Sequence, residues 1–268
     1  MAKKKVSSKN SNRILNLIPS SGTETDWQFK TASRALSLGA APLPTSVDLR
    51  APWWKIGDQG ATGSCVGWAS TDGVMRYHLV KIGKLGNTER LSPRYTWMAS
   101  KEFDEFTQRP GSFIEEAGTS LKAAADICRK YGVVKESLLP FNINTSMYKG
   151  DENEFYATAA QMRAASYFNL GNKPKEWRRW LAIKGPIMVG LACDQNWMTL
   201  GSNGKLDTFD AASANGGHAV CVVGYTTDQR FIMRNSWGTS WGHKGFAYAS
   251  EAYVTAGFFP ESYGFSVL

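Results

Sequence analysis

The chain has 268 residues, is 43% hydrophobic and carries a formal net charge of +8. That is enough apolar material for one two-lobed domain, and no run approaches the roughly 20 apolar residues that a membrane-spanning helix needs. Four irregularly spaced cysteines exclude a disulfide-dense secreted scaffold, and no metal-ligand or phosphate-binding motif occurs, so no metal and no cofactor is expected.

The surplus charge is concentrated in residues 1–42, where Lys3, Lys4, Lys5, Lys9, Arg13, Lys30 and Arg34 outnumber Glu24 and Asp26. Such a segment is ordinarily solvated, and contact with nucleic acid is expected only through it. Its first residues lack the apolar core of a secretory signal, so a cytoplasmic or other reducing compartment is expected. Trp27, Phe29 and Leu36 give 26–38 enough apolar character to lie in a cleft. Two readings follow: a short pro-segment or cleft-covering arm ending near 41–44, or a disordered leader without an inhibitory role.

The next feature is Asp58-Gln59-Gly60-Ala61-Thr62-Gly63-Ser64-Cys65, a glycine-rich loop leading into a proline-free apolar stretch over 66–82. Val66, Ala69, Tyr77 and Val80 form one stripe of this stretch, and Trp68, Met75, Leu79 and Ile82 form another, the pattern of a helix buried on several sides. Cys65 would then sit in the first turn, where unpaired amides and the helix dipole favour a thiolate. The plainer reading is a buried small apolar residue, the usual fate of a free cysteine.

Further helices are expected near 93–106 and over 121–131. From about 158 the pattern turns strand-rich, with candidate strands at 159–170, 187–193, 218–225, 230–234 and 245–250. One helix interrupts them, opening at Pro174 and stopping at Gly185-Pro186. His78 lies 13 residues along the helix from Cys65, so it would stand about 20 Å away and cannot serve as its base. His243 follows a Trp-Gly turn and reads as a surface residue. His218 opens the apolar run Ala219 to Val223, a rigid place to hold a ring.

The segments Asn215-Gly216-Gly217-His218 and Arg234-Asn235-Ser236-Trp237-Gly238, taken with the Gln59 to Cys65 loop, resemble the papain-like cysteine peptidases. In that family a cysteine, a histidine and an asparagine follow one another, with a glutamine shortly before the cysteine. Here His218 comes 153 positions after Cys65 and 17 before Asn235. The resemblance runs over roughly residues 43 to 255, and the cysteine and asparagine motifs are its specific parts. It implies an α+β, papain-like two-lobed fold. A basic extension (1–42) would precede a helical lobe (43–150) carrying the nucleophile and a β-barrel-like lobe (151–268) carrying the histidine and asparagine, with the cleft between the lobes.

The same resemblance implies the roles. Cys65 attacks a peptide carbonyl as a thiolate, and His218 takes its proton. Asn235 orients the ring, while Trp237 shields that hydrogen bond from water. Gln59 and the Cys65 amide meet the oxyanion. Gly118 would pair with the substrate backbone, Gly217 would open the cleft before the histidine, and Ala219 and Trp237 would line it. The residue closing the main specificity pocket falls between 252 and 264. Thr62 and Val66 depart from the family, which usually has a disulfide-bonded cysteine and a tryptophan at those places. Cys128, Cys193 and Cys221 then read as buried reduced thiols, with a Cys193 to Cys221 bridge as the alternative. The implied activity is that of a monomeric cysteine endopeptidase acting on polypeptides through an acyl-enzyme thioester. A catalytically silent binding relative and a peptide ligase or transpeptidase are the competing classes.

Overall fold

A computed structural model describes residues 13–103, 117–141 and 151–267. Lys3, Lys4, Lys5 and Lys9 of the basic extension, and residues 104–106 of the helix expected near 93–106, lie outside the described residues.

The helical side is built around one continuous helix, 65–81. It begins as α2 (Cys65–Gly67), runs through a π-helical stretch (Trp68–Met75) and ends as α3 (Arg76–Lys81). Every residue from Cys65 to Leu79 is buried, as a helix apolar on several faces demands. Against it pack α4 (Pro93–Phe103) and α5 (Leu121–Lys130). The side chain of Ser120 caps α5 by accepting from the Ala123 amide at 3.3 Å. The helix buries Leu121, Ala124, Ala125 and Cys128 and presents Lys122, Arg129 and Lys130 to solvent or the margin.

The second half forms one sheet. Its strands are β1 (Val47–Asp48), β2 (Ala164–Asn169), β3 (Ile187–Ala192), β4 (Lys205–Leu206), β5 (Gly217–Tyr225), β6 (Phe231–Arg234), β7 (Phe246–Ala249) and β8 (Phe258–Val267). The order is β2-β8-β3-β5-β6-β7-β4, with β1 added beside β5. All nine residues of β5 are buried, because the central helix covers one face and α7 (Pro174–Ile183) packs against the other side of the sheet. The ladder stays open, with β2 at one edge and β4 at the other, so the α+β, two-part fold forms without the barrel-like closure expected of its β side.

Three expectations change. The strand expected at 159–170 starts only at Ala164, because α6 (Glu152–Ala159) takes the preceding residues and is capped by the Asp151 carboxylate, which accepts from Glu154 at 3.0 Å. The ten-residue β8 occupies a stretch that lies outside the candidate strands. Residues 26–38 do not enter a cleft. They form α1 (Phe29–Ala35), which lies beside β2 and puts Ala32 and Leu38 into the core with Phe168 and Trp180. The two small helices α8 (Gln195–Met198) and α9 (Glu251–Gly257) complete the second half.

A buried charge cluster ties the two sides together. Asp72, fully buried in the π-helical stretch, accepts from Arg234 of β6 at 2.7 Å, Arg76 at 3.1 Å and Arg90 at 2.9 Å. Burial alone would raise the Asp72 pKa, but Arg234, Arg90 and Arg76 overturn that and hold it below the usual carboxylate range. Arg234 also stacks on Trp54 at 4.9 Å and donates to the Lys55 carbonyl at 2.8 Å. Removing the carboxylate leaves buried guanidinium groups without their counter-charge, so Asp72→Ala should lower the unfolding free energy by about 3–5 kcal/mol, read by urea denaturation. A loss below about 1 kcal/mol would contradict a structural role for the cluster.

Candidate active site

Cys65 opens the central helix, and its thiol lies against β5, close enough to the Ala219 backbone to feel its pull on the thiol proton. His218 is the preceding residue of that strand. The packing of helix on sheet therefore brings the two candidate reacting groups to neighbouring positions although 153 residues of chain separate them.

The state of the imidazole follows from its partners. His218 Nε2 lies 2.7 Å from Asn235 Oδ1, and the Ser236 amide donates to that same oxygen at 2.8 Å. An atom facing a backbone N–H is an acceptor, so the Asn235 carbonyl oxygen faces the ring and Nε2 carries the hydrogen. Neutral His218 thus has its lone pair on Nδ1, which is buried and has no hydrogen-bond partner among the described residues. Trp237 lies against the ring, centroids 4.7 Å apart, and is itself buried, with Trp197 and Trp241 behind it.

Gln59 is fixed from both ends. Its Oε1 accepts from Ser236 Oγ at 2.8 Å, its Nε2 donates to the Thr62 carbonyl at 2.9 Å, and its backbone amide donates to the Ser236 carbonyl at 2.8 Å. One amide hydrogen remains. Thr62, standing where the family has a cysteine, organises the loop by donating to the Gln59 carbonyl at 2.7 Å and pairing with Ser64 Oγ at 2.6 Å. Ser236 and Thr62 are positioning residues that pattern reading missed; the only signal for Ser236 was its place between Asn235 and Trp237. His78 packs against Tyr77 and Gly185, and His243 is exposed and bonded to Tyr248, so neither joins this site. All four cysteines are unpaired and buried, and no Cys193 to Cys221 bridge forms.

The groove between helix and sheet is occupied by the chain's own residues 13–18. Leu17 donates its amide to the Gly217 carbonyl at 3.1 Å on the sheet side, and Ile18 donates to the Thr119 carbonyl at 3.3 Å on the helical side. A methyl group placed on Gly118 would sit 1.8 Å from the Asn16 carbonyl oxygen, and one on Gly217 would sit 2.6 Å from that of Leu17, so both sites need glycine for this approach. Leu17 points into an apolar pocket between Leu121, Gly190 and Phe259. Phe259 lies within 252–264, the stretch in which the sequence left the pocket-closing residue unassigned.

A family model described as papain family cysteine protease matches residues 43–257. The chain belongs to the papain family. It is 30% identical to cathepsin K of Mus musculus over 76% of this chain and 59% of that protein, and 28% identical to a cysteine protease of Blomia tropicalis over 87% and 69%. The chain thus spans less than two thirds of the cathepsin K length. Among solved structures, xylellain, a cysteine protease from Xylella fastidiosa, superposes with a TM-score of 0.78 at 20% identity, covering 96% of this chain and 97% of that one. Digestive procathepsin L 3 of Tenebrio molitor superposes at 0.66 and 19% identity, over 97% and 77%. These likenesses establish the papain fold for this papain-family chain.

With residues 13–18 in the groove, the electrostatics favour neutral partners. Burial pushes the Cys65 thiol up to about 11 against the pull of its backbone hydrogen bonds. Burial also pushes His218 down to about 4, overriding the Asn235 hydrogen bond, and the Arg13 charge adds to the fall. His78 is likewise depressed to about 4, by burial and the Lys184 charge. A histidine neutral when folded but protonated when unfolded adds stability that is present above its ordinary pKa of 6.5 and lost as pH falls towards 4. Unfolding free energy should therefore drop between pH 6.5 and 4 by about 1.4 kcal/mol per pH unit for each of the two histidines. Denaturation at pH 7 and pH 5 checks this, and His78→Leu should remove about half of the slope.

Proposed function

We propose that this chain is a latent cysteine peptidase that hydrolyses internal peptide bonds through Cys65, His218 and Asn235. The observation that carries the reading is the packing of the Cys65 thiol against the Ala219 backbone, one residue from His218, whose Nδ1 has no partner among the described residues while Asn235 holds Nε2. In this mechanism His218 Nδ1 takes the thiol proton and the sulfur attacks the carbonyl carbon. The oxyanion is met by the remaining Gln59 amide hydrogen and the Cys65 backbone N–H. The amine leaves with the proton from the imidazolium, giving a thioester. Water then loses a proton to Nδ1, attacks the thioester and releases the acid. Trp237 keeps water from the His218 to Asn235 hydrogen bond. Gly118 and Gly217 present backbone groups to the substrate chain, Ala219 lines the wall beside the thiol, and the pocket holding Leu17 receives an apolar substrate side chain.

Residues 13–18 act in this reading as an inhibitory arm, and α1 anchors them to the sheet. They fill the backbone positions a substrate would use and keep the thiol and imidazole buried, a condition in which the thiolate and imidazolium pair does not form. Their removal or displacement exposes both groups. The four unpaired thiols support a reducing compartment for the protein.

An epoxysuccinyl thiol-peptidase inhibitor should modify Cys65 alone, mapped by peptide mass, and should fail in Cys65→Ala and His218→Ala. Leu17→Asp places a charge in the apolar pocket and should speed labelling by about tenfold or more. Labelling at the wild-type rate would remove the inhibitory role of the arm, and modification of the other cysteines with Cys65 untouched would remove the catalytic one.

A further inference from the structure

Latency requires only that the groove be filled, yet the arm makes one contact that is chemically selective. Arg13 seats its guanidinium in a receptor built from both catalytic loops. Its Nη1 donates to Asp58 Oδ1 at 2.6 Å and to the Gly60 carbonyl at 3.1 Å, and its Nη2 donates to Asp58 Oδ2 at 3.4 Å and to the Trp237 carbonyl at 3.3 Å. The guanidinium carbon lies 5.6 Å from the centroid of the Trp237 ring. A carboxylate, two carbonyls and an aromatic ring together answer every feature of a guanidinium: its charge, its forked donors and its flat face.

The receptor does not depend on Arg13 for its shape. Asp58 and Trp237 are joined by an antiparallel backbone bridge, Gly238 donates to the Gly57 carbonyl at 2.9 Å, and the Gly60 amide donates to Asp58 Oδ1 at 2.9 Å. The side chain of Arg13 is only 10% exposed whereas that of Asp58 is 53% exposed, so the carboxylate faces outward and accepts a cation arriving from solvent without deep desolvation. Asp58 directly precedes Gln59, and Trp237 covers His218, so the receptor borders the candidate reacting groups. Four residues along the arm, Leu17 occupies the apolar pocket under Phe259. A peptide in this groove can place one side chain in each.

We infer that Asp58, the Gly60 carbonyl and Trp237 form a subsite for an arginine side chain of the polypeptide substrate, which the arm occupies with its own Arg13 until it leaves. The inference rests on the peptidase reading above and adds a substrate class to it: polypeptides with an arginine near the bond to be cut. Lysine can meet the charge but not the fork, so arginine is the favoured occupant.

Two measurements test it. In the full chain carrying Arg13→Ala the receptor is vacated while Leu17 stays in place. Titration with Nα-acetyl-arginine amide, followed by calorimetry, should show saturable binding. The affinity should be at least about tenfold weaker for the neutral isostere Nα-acetyl-citrulline amide, for the wild-type chain, and for Arg13→Ala combined with Asp58→Asn. Equal affinity for the two probes, indifference to Asp58→Asn, or no binding at all would overturn the subsite. The second measurement, made in the chain carrying Arg13→Ala and Leu17→Asp so that the arm no longer holds the groove, compares kcat/KM for peptides with arginine or citrulline stepped through each position around the cut. One position should favour arginine by about tenfold, and that ratio should collapse towards one in Asp58→Asn. A flat profile overturns the inference while leaving the peptidase reading intact. If no peptide is cut, it is the peptidase reading that has failed, and the probe titration still decides the subsite.

Discussion

The buried contact between Asp72 and Arg234 fixes where the two halves of this molecule stand relative to each other. A carboxylate taken wholly out of water is tolerated only where opposite charges and hydrogen bonds replace its hydration, and here three guanidinium groups do so from three separate parts of the chain. Asp72 stands seven positions after Cys65 on one helix, and Arg234 is the residue before Asn235. One electrostatic demand therefore sets the height of the helix that opens at Cys65 against the strand end that leads into Asn235. Displacing either partner therefore disturbs the placement of Cys65 or Asn235 as well as the stability of the fold.

From that register the site follows in short steps. Helix on sheet puts the thiol against the Ala219 backbone, and strand continuity puts His218 next to it. Asn235 then reaches His218, its neighbour Ser236 reaches Gln59, and Thr62 returns the loop to Ser64 just before the nucleophile. Each link is a hydrogen bond between buried groups, so the arrangement is closed against water apart from the groove that residues 13–18 fill.

The parts of this arrangement that lie in short sequence motifs were legible from residue order: Gln59, Cys65, His218, Asn235 and Trp237 each sit in a run whose glycines and apolar neighbours restrict its conformation. The central helix, α5, α7, β3 and β5 were legible for the related reason that an apolar run or stripe with clear stops leaves few alternatives. What escaped depends on partners distant in sequence. Trp27, Phe29 and Leu36 announce that their segment buries something but not against which surface, and β2 with Trp180 supplies that surface only in the folded chain. Leu17 and Arg13 are single residues without a pattern, made meaningful by Phe259 and Asp58. β8 hid behind Pro260 and Gly264: its pairing with β3 is interrupted by a register shift, and Gly264 is where the Trp180 ring would meet a side chain. The open sheet edge was equally invisible, since whether a sheet closes depends on strand stagger and not on local composition.

Because α1 is pinned to the outer strand β2 while residues 13–18 lie in the groove, the segment in the groove is leashed to the surface it covers. A leash of this length holds a displaced segment near its receptor at an effective concentration of about millimolar. Any dissolved competitor must outbid that local excess, however briefly the segment steps aside. Cutting the leash ends the advantage at once, because the freed peptide is diluted to the concentration of the protein itself. The difference between an attached and a severed segment is thus a matter of entropy, set by where the tether is fastened and indifferent to any change in the contacts it makes.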